Sequence, residues 1–162
     1  MVSRFSERHL VHTTLKVCGE LIGETPTPLS GEHDIAEEGF ISGLEIVNSL
    51  SRHHIGLFCE RGAAHRTTQK IFALDAGAVS EDDIRDCLGE VINLIGGYLQ
   101  QYFHQETMLT APTVSTIHHD TPVPSHGPIL CQAWFTVDGG SFNVWISDQH
   151  TTVAQATAEG TP

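Results

Sequence analysis

Ser80-Glu-Asp-Asp-Ile-Arg-Asp86-Cys-Leu-Gly-Glu90-Val-Ile-Asn93-Leu-Ile-Gly-Gly97-Tyr-Leu99 is the most strongly patterned stretch of the chain. Ser80 can cap a helix, and Glu81, Asp82 and Asp83 would fill its first turn, where carboxylates complement the helix dipole. Ile84, Cys87, Leu88, Val91, Ile95, Tyr98 and Leu99 recur at helical spacing, which predicts a helix running to about Phe103. With Glu90 at the origin of a helical wheel and about 100° per residue, Asp86, Asn93 and Gly97 fall within about 60° of it, while the apolar set centres near about 115°. Asp86, Glu90, Asn93 and Gly97 therefore form one narrow stripe away from the buried face. Glu90 and Asn93 are neighbours on it. Gly89 and Gly97 lie on or beside the stripe, where they could admit close approach by a partner. Mid-helix glycine costs up to about 1 kcal/mol relative to alanine.

Downstream of this helix, residues 112–117 read as a strand starting at Pro112, and 118–128 as a proline-stiffened loop. Ile129, Cys131, Ala133, Phe135 and Val137 then alternate along one strand, and Phe142, Val144 and Ile146 along the next. Asp138-Gly139-Gly140 between them predicts a hairpin. Upstream, residues 5–22 carry apolar residues at helical spacing, 23–38 read as a loop, 40–48 and 54–60 as strands, and 62–74 as a second helix. The predicted order is helix-strand-strand-helix-helix-strand-strand-strand: an α+β (mixed α/β) domain over residues 1–148, helices packed on a mainly antiparallel sheet. Residues 149–162 are small and polar and read as a flexible tail.

A length of 162 residues suits one domain with a real core. Only 8 Lys and Arg stand against 20 Asp and Glu, a formal charge of −12. Nucleic acid and anionic membrane need a cationic footprint and are not expected partners. No apolar run approaches the ~20 residues of a membrane span. No export signal is read at Met1-Val-Ser-Arg-Phe, so the expected location is cytoplasmic, with Cys18, Cys59, Cys87 and Cys131 reduced and mostly buried. No two cysteines are close enough for a C-x-x-C site. His118, His119 and His126 could in principle hold a metal, but the ligand pattern is incomplete and no metal is expected.

The spacing Asp86…Glu90…Asn93, followed by Pro112, resembles the signature of the CheC/CheX/FliY family of chemotaxis phosphatases. That signature is an Asp or Ser, three residues, Glu, two residues, Asn and a later proline. The ending Gly139-Gly-Ser-Phe-Asn-Val-Trp-Ile-Ser147 is similar to the family's last strand, and Pro112-Thr-Val114 to a strand start in CheX. Here 18 residues separate Asn93 from Pro112, a few fewer than usual. A second Glu-x-x-Asn, Glu45-Ile-Val-Asn48, has Ile41 where an Asp or Ser belongs and reads as strand, so it looks like a decoy. One motif per chain resembles CheX rather than CheC.

The resemblance implies a phosphatase acting on the phospho-aspartate of a CheY-type response regulator. Asn93 would orient the attacking water and Glu90 would pair with the receiver's lysine. Asp86, Gly97 and Pro112 would support the site. No cofactor is expected on this chain, since Mg²⁺ would sit on the receiver. The alternative is a non-catalytic receiver-binding or dimerisation module.

A homodimer is also implied. Trp134 and Trp145 lie on the hairpin face opposite its apolar set, together with Leu130, and this patch requires cover by a helix of the same chain or by a second subunit.

Overall fold

The computed structural model describes residues 5–31, 33–35, 38–120, 126–137 and 139–149. The chain runs α1 (Glu7–Ile22), β1 (Thr27–Leu29), β2 (Gly39–Val47), β3 (Arg52–Glu60), α2 (Arg61–Ile71), α3 (Glu81–Leu99), β4 (Met108–Leu109), β5 (Thr113–Ile117), β6 (Ile129–Val137) and β7 (Gly140–Asp148). Short 3-10 turns lie at Ala76–Ala78 and Gln100–Tyr102. The strands form one antiparallel sheet in the order β1-β6-β7-β3-β2-β4, with β5 also paired to β2. This is an α+β fold with three helices on one face of the sheet.

Alternation sorts the strand residues into two layers. Phe40, Leu44 and Ile46 of β2, Ile55 and Leu57 of β3, and Phe142, Val144 and Ile146 of β7 join the main core. Leu10 and Val17 of α1, Ala63 and Ala64 of α2, and Ile84, Leu88, Ile92, Ile95 and Leu99 of α3 close it from the helix side. Cys18, Cys59 and Cys87 are buried free thiols, and burial pushes all three up, Cys18 to about 12, so they pack as apolar groups. α1 ends at Gly23, whose φ of 70° is the left-handed C-cap that glycine adopts without a Cβ penalty.

Three features differ from the sequence expectation. The 23–38 loop contains β1, which pairs Thr27–Leu29 with Trp134–Thr136. Its central Pro28 is tolerated because an edge strand needs only one side of its ladder. The helix expected to reach Phe103 stops at Leu99 and tightens into a 3-10 turn, after which the two-residue β4 pairs with β2. Third, the β6–β7 register shifts between Ile129 and Cys131. This bulge turns Leu130 toward the main core, away from the tryptophan face where strict alternation puts it, and Ile129, expected on the apolar face with Cys131, is instead 55% exposed.

The hairpin register pairs Val137 with Gly140 and Trp134 with Asn143, so Trp134 and Trp145 are diagonal neighbours. Both are buried, at 5% and 6% exposure. Within the chain their cover is a short strap and not the helix that was one of the two expectations. Trp145 belongs to a second, smaller core with Ile41, Phe58 and Ile117, against which Ile35 packs, and His33 meets the Trp134 ring at 5.6 Å. The 33–35 segment thus straps this outer sheet face. Trp145 lies over Gly56, where a Cβ would stand 2.2 Å from the indole. Only glycine lets the ring settle onto the sheet.

Of the expected tail, Gln149 is still tied to the sheet through its backbone N–H, which donates to the Arg52 carbonyl at 3.0 Å. Residues 150–162 lie outside the described residues.

Candidate functional site: an exposed polar stripe on α3 beside Pro112

The start of α3 is held as its sequence implies. The Asp83 N–H donates to Ser80 Oγ at 3.1 Å, and the Asp83 carboxylate accepts from the Ser80 N–H at 2.8 Å and the Ser80 hydroxyl at 2.6 Å. These bonds form a capping box. They also hold the Asp83 carboxyl below its ordinary range, the hydroxyl bond contributing most. Glu81 is lowered as well, first by its bond from Arg61 and then by the charges of Arg61 and Arg85. With the first turn fixed, the phase of everything downstream is set.

Asp86, Glu90, Asn93 and Gly97 are all exposed, while Cys87, Leu88, Val91, Ile92, Ile95 and Gly96 between them are buried. The stripe read from the helical wheel is the solvent face of α3. Asp86, Glu90 and Asn93 share one open groove of about 470 Å³ with Pro112, and Arg85, Gly89 and Val114 complete its walls. None of the three stripe side chains is engaged by a hydrogen bond or ion pair with another described residue. A carboxylate and a carboxamide one helical turn apart thus face solvent with their full hydrogen-bonding capacity. Gly97 lies one turn beyond, outside the groove lining.

The glycines of α3 divide by what surrounds them. A Cβ on Gly96 would stand 3.1 and 3.2 Å from the Leu44 methyls, so Gly96 serves close helix–sheet packing. A Cβ on Gly89 would meet Pro112 Cγ at 3.8 Å, an ordinary contact. Around Gly97 there is nothing within 4 Å. Internal packing therefore explains Gly96 and not Gly97.

Arg85 is the groove residue that the spacing argument does not single out. Its guanidinium bonds Glu81 and Asp82 at 3.1 Å each and reaches Thr116 Oγ1 on β5 at 3.2 Å. It ties the first turns of α3 to the strand that begins just after Pro112. The i,i+4 spacing from Glu81 was a legible signal for its helix-surface pairing, but the link to β5 is tertiary.

The second Glu-x-x-Asn is structural. Glu45 pairs with Arg52 across β2–β3 at 2.9 Å. Asn48 Oδ1 accepts from the Leu50 and Ser51 N–H groups at 2.9 and 2.7 Å, forming the turn between the strands. Of the histidine-rich segment, His119 Nδ1 lies 3.4 Å from exposed Asp120, and His126 stacks on His54 at 3.7 Å. Among the described residues no three His, Cys, Asp or Glu side chains come together to hold a metal ion. Residues 121–125 lie outside the described residues. No described helix is long and apolar enough to cross a membrane.

No family model matches the sequence, and no curated protein matches it. Solved structures do. The chemotaxis protein CheX of Vibrio vulnificus superposes with a TM-score of 0.71 at 16% identity, over 86% of this chain and 96% of that one. A chain of the CheX–CheY–BeF3–Mg²⁺ complex of Borrelia burgdorferi gives 0.67 at 17% identity, over 88% and 96%. Thermotoga maritima FliY gives 0.57 at 11% identity, over 90% and 92%. At such identities the likeness is one of architecture: the chain has the α+β fold shared by CheX, CheC-like and FliY proteins.

Proposed function

We propose that this chain is a CheX-like phosphatase that hydrolyses the phospho-aspartate of a CheY-type response regulator. The observation that carries the reading is the pair Glu90 and Asn93, exposed, unengaged and one turn apart in a groove bordered by Pro112. A CheX structure solved with CheY, BeF3 and Mg²⁺ supports the partner class.

The chemistry suits an amide and a carboxylate without a nucleophile. An acyl phosphate is already activated, and the receiver brings its own Mg²⁺ and lysine, so what remains is to place a water in line with phosphorus. Phosphoryl transfer is accelerated chiefly by such positioning and by charge stabilisation. The Asn93 amide would accept from and orient that water, its carbonyl oxygen and N–H₂ group both being free. Glu90 would pair with the receiver lysine and fix the docking. Asp86 supports the helix surface, and Pro112 shapes the rim against Gly89. Such a protein works where receivers are, in the cytoplasm.

Dimerisation belongs to the same reading. β1 covers only Trp134–Thr136 of β6, so residues 129–133 have no strand on that edge among the described residues, and Ile129 is 55% exposed. An open edge of this kind accepts a second copy.

The second reading, a receiver-binding module without catalysis, keeps the docking surface and loses the rate. One experiment separates the two: the lifetime of phosphorylated CheY with and without this protein. A shortened lifetime supports the phosphatase. An unchanged lifetime with measurable binding leaves the module.

A further inference from the structure

The ladder between β5 and β2 sets where Pro112 lies along the sheet, not how far it stands from α3. β5 is a five-residue edge strand, and among the described residues it pairs with β2 alone. Val114 and Thr116 alternate onto its helix-facing side, where Val114 packs against the core. Among the described residues one hydrogen bond crosses from α3 to residues 110–117: Arg85 Nη2 donates to Thr116 Oγ1 at 3.2 Å. Side-chain bulk does not brace the rim, because Gly89 puts no side chain between Pro112 and the helix.

Arg85 is aimed at that hydroxyl by its own helix. Nη1 donates to Asp82 at 3.1 Å, and Nη2, which carries two hydrogens, donates to Glu81 Oε2 at 3.1 Å as well as to Thr116. Glu81 is held in turn, since its Oε1 accepts from Arg61 at the start of α2 at 3.2 Å. Arg61 also approaches Glu38, just ahead of β2, at 3.8 Å. The pairs of Arg85 with Glu81 and Asp82 are exposed, and such contacts stabilise a helix only slightly. Their larger effect is on direction. They fix a long side chain, so little conformational freedom is left to lose in the bond to β5. A line of charge pairs thus runs from α2 through the first turn of α3 to the strand that follows Pro112.

We propose that Arg85 is a positioning residue of the groove: through Thr116 it holds β5, and with it Pro112, at a fixed distance from Glu90 and Asn93. The proposal rests on the reading of the groove as the docking site of a phospho-receiver. A receiver seated between Pro112 and the helix is oriented by both walls, and a shift of one wall misplaces the water against phosphorus.

Thr116→Val is the discriminating variant. It is nearly isosteric, keeps the branched Cβ that suits a strand, leaves Arg85 its helix pairs and removes only the accepting oxygen. Amide exchange over residues 113–117 should quicken several-fold, with exchange over α3 and the thermal midpoint close to wild type. Thr116→Ser returns the hydroxyl and should restore slow exchange. Arg85→Ala should loosen β5 to the same extent, and the double variant no further, because both residues belong to one link. In phospho-receiver decay Thr116→Val should lower kcat about tenfold and leave KM within about twofold, since Glu90 is untouched. Wild-type exchange in Thr116→Val, no rescue by Thr116→Ser, additive effects of the two substitutions, or a loosened β5 with unchanged kcat would each overturn the proposal. A wild-type protein that leaves the phospho-receiver lifetime unchanged would instead remove the phosphatase reading, and with it the part of Arg85 in catalysis. Exchange over β5 would then still decide whether the link holds the rim.

Discussion

Pro112 stands beside Gly89 of α3: a Cβ added to that glycine would lie 3.8 Å from the Pro112 ring. The short connection after Asn93 still returns the proline to the rim of the groove, by way of the 3-10 turn at Gln100–Tyr102 and the β4 pairing with β2. Helix and proline therefore bound one site although 18 residues separate Asn93 from Pro112.

On the proposed phosphatase reading, Asn93→Ala should remove most of the activity, on the order of a hundredfold or more, because Asn93 is the group proposed to position the water. The side chain is exposed and makes no internal bond, so the stability cost should stay below about 0.5 kcal/mol. Phospho-receiver decay and thermal midpoint are measured together. Undiminished activity would take Asn93 out of the mechanism.

On the same reading, in which Glu90 pairs with the receiver lysine, Glu90→Ala should weaken docking and activity together. Truncating one partner of a desolvated ion pair costs ~2–5 kcal/mol, much of it from the lysine left unpaired. Titration against a receiver carrying BeF3 and Mg²⁺ checks this, and equal affinities for wild type and variant would exclude the pairing.

Gly97→Ala separates folding from docking. The helix should gain up to about 1 kcal/mol, since the site is exposed and a Cβ there meets nothing within 4 Å. If a receiver backbone approaches the helix at this turn, the stabilised variant will bind it less well. Gly96→Ala is the contrast: the Leu44 methyls at 3.1 and 3.2 Å must give way, and the midpoint should fall. A Gly97 variant with a higher midpoint and full activity would mean that no partner comes close here.

Sedimentation equilibrium at micromolar concentration should give about twice the 17.6 kDa chain mass. The open edge of β6 at residues 129–133 is the expected contact, and Ile129→Lys should favour the monomer. The tryptophans do not enter this argument, because the chain's own 33–35 strap already covers them. A mass that stays at one chain would remove the dimer.

Stability should fall in acid through His54. Burial, and secondarily the charge of His126 stacked on it at 3.7 Å, lowers His54 from 6.5 to about 4. The unfolded chain then binds the proton more readily than the folded one. The loss should begin near pH 6.5 on acidification and level off near pH 4. Glu45, its cross-strand partner, is already paired with Arg52. Thermal midpoints of wild type and His54→Gln across this window give the test: the variant should show the shallower slope, and parallel curves would exclude His54 as the source.

The α3 helix, its cap and its exposed stripe were legible in the sequence because they are local. A capping box spans three residues, and the 3.6-residue period fixes which side chains share a face. The β6–β7 hairpin was legible for the same reason, a glycine-rich turn between two alternating runs. The expected decoy at Glu45 and Asn48 could be recognised because the segment reads as strand, so the two would not share a helical face.

What only the tertiary structure decided depends on partners far along the chain. β1 and β4 are too short to carry a pattern and exist because β6 and β2 supply their hydrogen bonds. The bulge at Ile129/Cys131 reassigns Leu130 to the other layer, which alternation cannot foresee. The helical wheel puts Gly97 on the polar stripe, but that Gly96 is a packing glycine is decided by Leu44 and Leu109 across the core. The tryptophan face, read from alternation as a surface in need of a helix or a subunit, is covered by a strap of the same chain and lies over Gly56, because burying two indoles rewards whichever segment the fold brings within reach.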